Sequence, residues 1–184
     1  DGQNLLIYGP DGKTVLERFF FGRQRENPKL SLVDYVADLR SGRMDYVGMF
    51  ITTVGQVRGL AEDWKSQGDY LDMHILQALA LESAEGFAEL LHQQMRRAWG
   101  FGDQPGVSSE ELFKAHYQGR RYSFGYPACP RLEDQEQLFR LLGAKQEIGV
   151  ELTEGYMMDP ESSVSALVFH HPDATYFNLS PQDV

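Results

Sequence analysis

From Tyr70 to Trp99, the apolar residues Leu71, Ile75, Leu79, Phe87, Leu90, Leu91 and Met95 recur with the 3.6-residue period of one helical face. The spacing predicts a single long helix over about 70–99, roughly 45 Å from end to end at 1.5 Å per residue. Asp72 near its start and Arg96 and Arg97 near its end complement the two poles of the helix dipole. Gly100 and Gly102 follow and stop it.

The rest of the pattern is mixed. Asn4–Tyr8 and Thr14–Phe20 are apolar-rich runs separated by Gly9-Pro10-Asp11-Gly12. Proline presets φ and glycine accepts φ > 0 there, so a β-hairpin is expected. Phe19, Phe20 and Phe21 stand in a row, which neither alternation nor helical spacing explains. Arg23–Lys29 is a polar loop. Ser31 and Asp34 make a capping arrangement ahead of Leu32, Tyr35, Val36 and Leu39, predicting a helix that Gly42 ends. Tyr46–Val54 reads as a buried strand, and Gln56–Gln67 as a helix with Val57, Leu60 and Trp64 on one face. Ser108 and Ser109 cap a short helix to about Tyr117, and Leu132–Leu142 forms another, ended by Gly143. Val150–Thr153, Val164–Phe169 and Tyr176–Leu179 read as strands. Short turns between strands, without βαβ repetition, indicate an α+β fold with a mainly antiparallel sheet packed with helices.

Composition narrows the class. A chain of 184 residues suits one domain, or one domain with an appendage, and it can bury roughly 70% of its unfolded surface. Hydrophobic, aromatic and charged fractions of 42%, 12% and 24% argue against global disorder. Seventeen Lys+Arg against 27 Asp+Glu give a net charge of −10, which speaks against general binding to nucleic acid or an anionic membrane. No run approaches the ~18 apolar residues of a membrane helix, and Asp1–Asn4 does not open like a targeting segment. A lone cysteine, Cys129, forms no internal disulfide and points to a reducing compartment, the cytoplasm.

The run Arg120–Pro130 (RRYSFGYPACP) concentrates two arginines, two tyrosines, two prolines, a glycine and the only cysteine. Two prolines in four residues hold the backbone extended and remove two N–H donors, suggesting a rigid strap for a flat polar ligand. Gly125 permits close approach to the backbone, and Arg121 can fork onto a carboxylate. A proline-rich surface loop with snorkelling arginines is the plainer reading of the same composition. Cys129 fits a buried, inert thiol better than a nucleophile. His170 and His171 point to opposite faces of a strand, and His74, His92 and His116 stand alone on helices, so no metal site is expected. Glu82, Glu85 and Glu89 share one face of the long helix, ordinarily a solvated one. Glu85 stands out because Phe87, Leu90 and Leu91 press the neighbouring face inward. Met157 and Met158 are ordinary apolar fillers. Dinucleotide, P-loop, nucleophile-elbow and zincin signatures are missing, and no catalytic residue is assigned.

Arg121-x-x-x-Gly125-Tyr126-Pro127-Ala128-Cys129-Pro130 resembles the S-adenosylmethionine-binding motif of the activation domain of cobalamin-dependent methionine synthase. Ile148–Glu154 (IGVELTE) resembles that family's next block, and Met157, Met158 and Pro160 follow in the family's order. Ser163-Val164-Ser165 and Phe169-x-His171-Pro172, ending in Tyr176-Phe177, are similar to its terminal strands. Ala37–Val47 and the Ala84–Arg97 helix also fit, so the resemblance covers nearly the whole chain. It implies an α+β fold with a bent antiparallel sheet. It also implies a reactivation role in methionine biosynthesis. In that family the domain presents S-adenosylmethionine to inactive cob(II)alamin held by a partner domain, and flavodoxin or an equivalent flavoprotein supplies an electron. The corrinoid of the methyltransferase carries the chemistry; the domain binds and presents.

Position by position, the resemblance implies that Arg121 holds the ligand's carboxylate and that the backbone at Ser123 and Gly125 meets the adenosyl part. It further implies that Tyr126 flanks the reactive methyl and faces the corrin, that Tyr176 is a second contacting tyrosine, and that Glu85 approaches the site from the helix. Two departures stand out. Ala115 occupies a position that is acidic in the family, with His116 beside it, and the family's ligand-contacting aspartate lies upstream of Asp1. Residues 1–184 are therefore expected to be activation-domain-like, without the N-terminal part and C-terminal end of the full module. The alternative is a related ligand-binding or interaction module serving another corrinoid protein. Arg96, Arg97, Lys114, Arg120, Arg121 and Arg131 gather around the motif in sequence, so a local basic patch that steers an acidic flavodoxin is expected despite the net charge.

Overall fold

The computed structural model describes residues 2–55 and 57–184; Gln56, at the head of the second expected helix, lies outside the described residues, as does Asp1. Strands β1, Asn4–Tyr8, and β2, Val15–Phe20, pair antiparallel as the turn chemistry dictates. The Gly12 N–H donates to the Gly9 carbonyl at 2.9 Å, and Gly12 takes φ 63°. Asp11 accepts from the Thr14 hydroxyl and from the backbone N–H groups of Lys13 and Thr14, which hold its carboxyl down at about 2. The triple phenylalanine resolves by facing: Phe19 and Phe21 are buried and stack 6.2 Å apart, with Phe20 between them only half-buried.

The helix expected after Ser31 does not form as one piece. Two 3₁₀ turns, Leu32–Tyr35 and Leu39–Ser41, stand in its place. Short acidic side chains capture the backbone donors that a helix would need. Asp45 accepts from the Ala37 N–H at 2.9 Å and Asp38 from the Arg40 N–H at 2.7 Å, while Asp34 only caps the first turn, accepting from the Ser31 N–H at 3.0 Å. Val36 is extended between the turns, and Gly42 ends the second at φ 65°.

Strand β3, Gly48–Thr53, leads through α1, Val57–Gln67, to α2, Tyr70–Ala98. Then come α3, Ser109–Phe113, and β4, Arg120–Tyr122. Helices α4, Gln135–Leu142, and α5, Ala144–Ile148, precede the hairpin of β5, Glu151–Leu152, and β6, Met158–Asp159, and the final strand β7, Ser163–Phe169. Several expected boundaries move. Helix α3 stops at Phe113, and Ala115 turns to φ 54°. Leu132–Asp134 is a 3₁₀ turn, so the α-helix starts at Gln135, and α5 is an addition. Tyr176–Leu179 runs without joining a ladder among the described residues. Its anchors are lateral instead: the Leu179 N–H donates to the Pro127 carbonyl at 2.9 Å, and the Tyr122 hydroxyl to the Thr175 carbonyl at 2.6 Å.

The central sheet has the order β3-β7-β4, antiparallel throughout. All seven residues of β7 are buried, because both its faces are covered. Val164, Ala166 and Val168 face α2; Leu167 and Phe169 face a second core with Phe19, Leu32, Tyr122 and Leu138. The long helix therefore exists where expected but is turned differently on its axis. Leu71, Ile75, Leu79, Phe87 and Leu90 are exposed, and only Leu91 and Met95 of the apolar stripe pack on the sheet. The buried face runs through Met73, Ala80, Ala84, Ala88, Glu89, His92 and Arg96. Small residues let the helix axis approach the strands: the Thr52 hydroxyl donates to the Ala84 carbonyl at 3.3 Å, and a Cβ on Gly48 would lie 2.2 Å from the Met95 methyl. In α1 the buried residue is Ala61, while Leu60 is exposed and Val57 and Trp64 are half-buried. Among the described residues no helix is long and apolar enough to cross a membrane.

Candidate functional site

Register brings the site together. Alternation along β4 sets Arg121 opposite Val168, a residue packed toward α2, and sets Tyr122 opposite Leu167 in the other core. The Arg121 side chain thus meets α2, where Glu85, Glu89, His92 and Arg96 follow one another at helical spacing on one stripe. Arg121 Nη1 donates to Glu89 Oε2, and Arg121 Nη2 lies 3.9 Å from Glu85 Oε2. Burial opposes the charge on Arg121, but the Glu89 carboxylate outweighs it and the guanidinium pKa is raised.

A buried polar layer backs this pair. The Tyr117 hydroxyl donates to Glu89 Oε2 at 3.2 Å, and the Arg96 guanidinium carbon lies 3.6 Å from the centre of the Tyr117 ring. Arg96 is completely buried; it donates to both oxygens of Asp103, at 2.9 and 2.8 Å. The pair lowers the Asp103 pKa. His92 is also completely buried and meets the Tyr117 ring edge-on at 5.1 Å. Burial, reinforced by the cations Arg96 and Arg121, lowers the His92 pKa to about 3, so the imidazole is neutral. Burial likewise drives the Tyr117 phenol upward, and it keeps its proton.

Beside this layer the Arg121 side chain keeps 20% of its surface, and Tyr176 is exposed. Tyr122 and Tyr176 meet edge-on with ring centres 5.5 Å apart, and the Thr175 anchor holds the tail there. The Arg120 guanidinium lies between the Tyr117 and Tyr176 rings, at 5.7 and 5.9 Å, and donates to the carbonyls of Tyr117 and Gly119. Beyond β4 the chain folds back rather than running as an extended strap. The Gly125 N–H donates to the Cys129 carbonyl and the Cys129 N–H to the Tyr126 carbonyl, both at 2.8 Å. Gly125 needs φ 85° for this, and a Cβ there would come within 3.1 Å of Leu132. Ser123 is half-buried, and Tyr126 stands at the tip of the turn, 63% exposed.

Arg121, Glu85 and Tyr176 therefore converge, with Ser123, Gly125 and Tyr126 on the adjoining turn. The spacing of acids on the helix contained Glu89 but gave no reason to prefer it. Its burial depends on how α2 is rotated, and that depends on the alanines beneath it. Cys129 is buried and its thiol pKa is pushed up, which makes it a poor nucleophile. His170 pairs with Asp45 at 2.9 Å and His171 accepts from the Asp173 N–H. Among the described residues no group of three or more His, Cys, Asp or Glu is placed for a metal.

The expected basic patch is overturned. Arg96 is interior, Arg121 is bound to Glu89, and Lys114 pairs with Glu110 at 2.5 Å. Arg131 meets Glu133 and Asp134 at 3.3 and 3.2 Å, and Arg120 is turned onto carbonyls. Proximity in sequence placed these cations near one another, but all except Arg97 fold onto a counter-charge or acceptor, Lys114 doing so at the surface.

A family model described as vitamin B12 dependent methionine synthase, activation domain, matches residues 1–182. The methionine synthase of Mycobacterium tuberculosis is 32% identical over 193 residues, which span 97% of this chain and 16% of that protein. A crystal structure of the MetH reactivation domain bound to AdoHcy superposes with a TM-score of 0.91 at 36% identity, over 97% of this chain and 57% of that one.

Proposed function

We propose that this chain, which belongs to the vitamin B12 dependent methionine synthase activation-domain family, binds S-adenosylmethionine and presents it for reductive reactivation of that enzyme's cobalamin. One observation carries the reading: the Arg121 guanidinium is anchored on Glu89 through Nη1, while its side chain keeps 20% of its surface and Nη2 stands 3.9 Å from Glu85. Glu85 lies beyond hydrogen-bonding distance of that nitrogen, so a carboxylate can take it. The AdoHcy in the similar reactivation domain has the adenosyl and amino-acid parts of S-adenosylmethionine, which supports the choice of ligand.

On this reading Arg121 holds the ligand carboxylate. Glu85 stands within reach of the ligand's amino group. The backbone at Ser123 and Gly125 receives the adenosyl part, Tyr176 closes one side, and Tyr126 borders the methyl. The exposed side chains of Tyr126 and Tyr176 suit a ligand whose methyl must be reached by a cofactor on another domain. Cobalamin, supplied by the cobalamin-binding domain of the synthase, is the methyl acceptor. The electron donor is flavodoxin or an equivalent flavoprotein, and the setting is the cytoplasm. The chain binds and orients, and the whole methyltransferase performs the chemistry. Calorimetry tests the assignment: Arg121→Ala is expected to weaken S-adenosylmethionine binding more than tenfold, and unchanged affinity would sink it.

A further inference from the structure

Arg121 has two terminal nitrogens, and the fold commits one of them. Nη1 is taken by Glu89 Oε2, inside the molecule, where the Tyr117 hydroxyl also donates to the same oxygen. The other oxygen, Glu89 Oε1, accepts no hydrogen bond and faces Arg96 Nη2 at 3.8 Å. Asp103 fixes Arg96 from the opposite side, and the Gln93 amide steadies Asp103 at 3.2 Å. Two guanidiniums and two carboxylates thus balance in the buried layer, with His92 neutral beside them. Glu89 is the member that touches both arginines.

We infer that Glu89 is a positioning residue for capture of the ligand carboxylate: it grips Arg121 by Nη1, with Tyr117 steadying the grip, so that Nη2 is presented to the site. This rests on the reading of Arg121 given above. An arginine without such an anchor samples many rotamers, and fixing it on binding costs side-chain entropy. Glu89 removes much of that cost before the ligand arrives.

Two ligands that differ only in the carboxylate separate positioning from general electrostatics. S-adenosylmethionine and its decarboxylated form are titrated against the 184-residue chain, its Glu89→Gln variant and its Tyr117→Phe variant. Positioning predicts about tenfold weaker S-adenosylmethionine binding in Glu89→Gln and about threefold in Tyr117→Phe, with less than twofold change for the decarboxylated ligand in either. Loss of one negative charge acting through the field alone would hurt the more cationic, decarboxylated ligand at least as much. An equal loss for both ligands, or no loss for S-adenosylmethionine, overturns the inference. If Glu89→Gln does not fold, Tyr117→Phe decides by the same comparison. If the unaltered chain does not prefer the carboxylate-bearing ligand, the assignment of Arg121 fails first and this inference falls with it.

Discussion

At the residue scale, the same side chain changes meaning with burial. Arg96 sits where a helix dipole favours a cation, yet it is interior and pairs with Asp103 and Glu89. His92 sits one turn away and is neutral because water cannot reach it. That neutrality has a pH consequence. The folded pKa is about 3, against ~6.5 in the unfolded chain, so below pH 6.5 the unfolded state takes up a proton that the folded state refuses. The stability His92 contributes is complete above pH 6.5 and is lost progressively as pH falls toward 3. Between pH 7 and 5 this amounts to about 2 kcal/mol. Urea unfolding should show that drop in the parent chain and a much smaller one in His92→Gln; equal drops would assign the dependence to other groups. The motif arginine and its neighbouring glycine, tyrosines and prolines were legible in the sequence because short-range spacing carries them. Glu89 was not, because three glutamates on one helix face look alike until something is packed against one of them.

At the element scale, α2 was legible in length and ends, but its orientation was not. A periodic stripe of large apolar residues usually marks the packed face. Here Ala84 and Ala88 lie against β3 and β7, and Leu71, Leu79 and Leu90 point outward. Close approach decides this: the Thr52 bond to the Ala84 carbonyl and the contact of Gly48 with Met95 leave no room for a leucine between helix and sheet. Ala88→Leu should therefore overpack the interface and cost about 1–3 kcal/mol, seen as a lower urea midpoint. Leu79→Ser, at a position 62% exposed, should change stability by less than ~0.5 kcal/mol. The opposite ranking would mean that the leucine stripe is the buried one. The segment after Ser31 shows the same limit from another side. Its apolar spacing suits a helix, but Asp38 and Asp45 offer the backbone nearer acceptors, and two short turns result.

At the scale of the whole molecule, charge is governed by pairing. The net charge of −10 is not relieved by a basic patch beside the motif, since five of its six cations fold onto acids or carbonyls or into the interior. Encounter with an acidic flavoprotein should therefore proceed against like charge, and added salt should leave its rate unchanged or raise it. A steep fall in reactivation rate with salt would restore the patch. Local sequence was enough for the hairpin turn, the long helix, the antiparallel pairing and the unusual Arg120–Pro130 run, because each depends on φ preferences or spacing within a few residues. Only tertiary packing settled which face of α2 is buried, that Arg121 answers to Glu89, that Tyr122 and Pro127 hold the tail carrying Tyr176, and that most cations beside Arg121 pair with acids or carbonyls. Those outcomes depend on contacts between residues tens of positions apart, where close packing and the cost of an unpaired buried charge choose among partners that local spacing leaves equivalent.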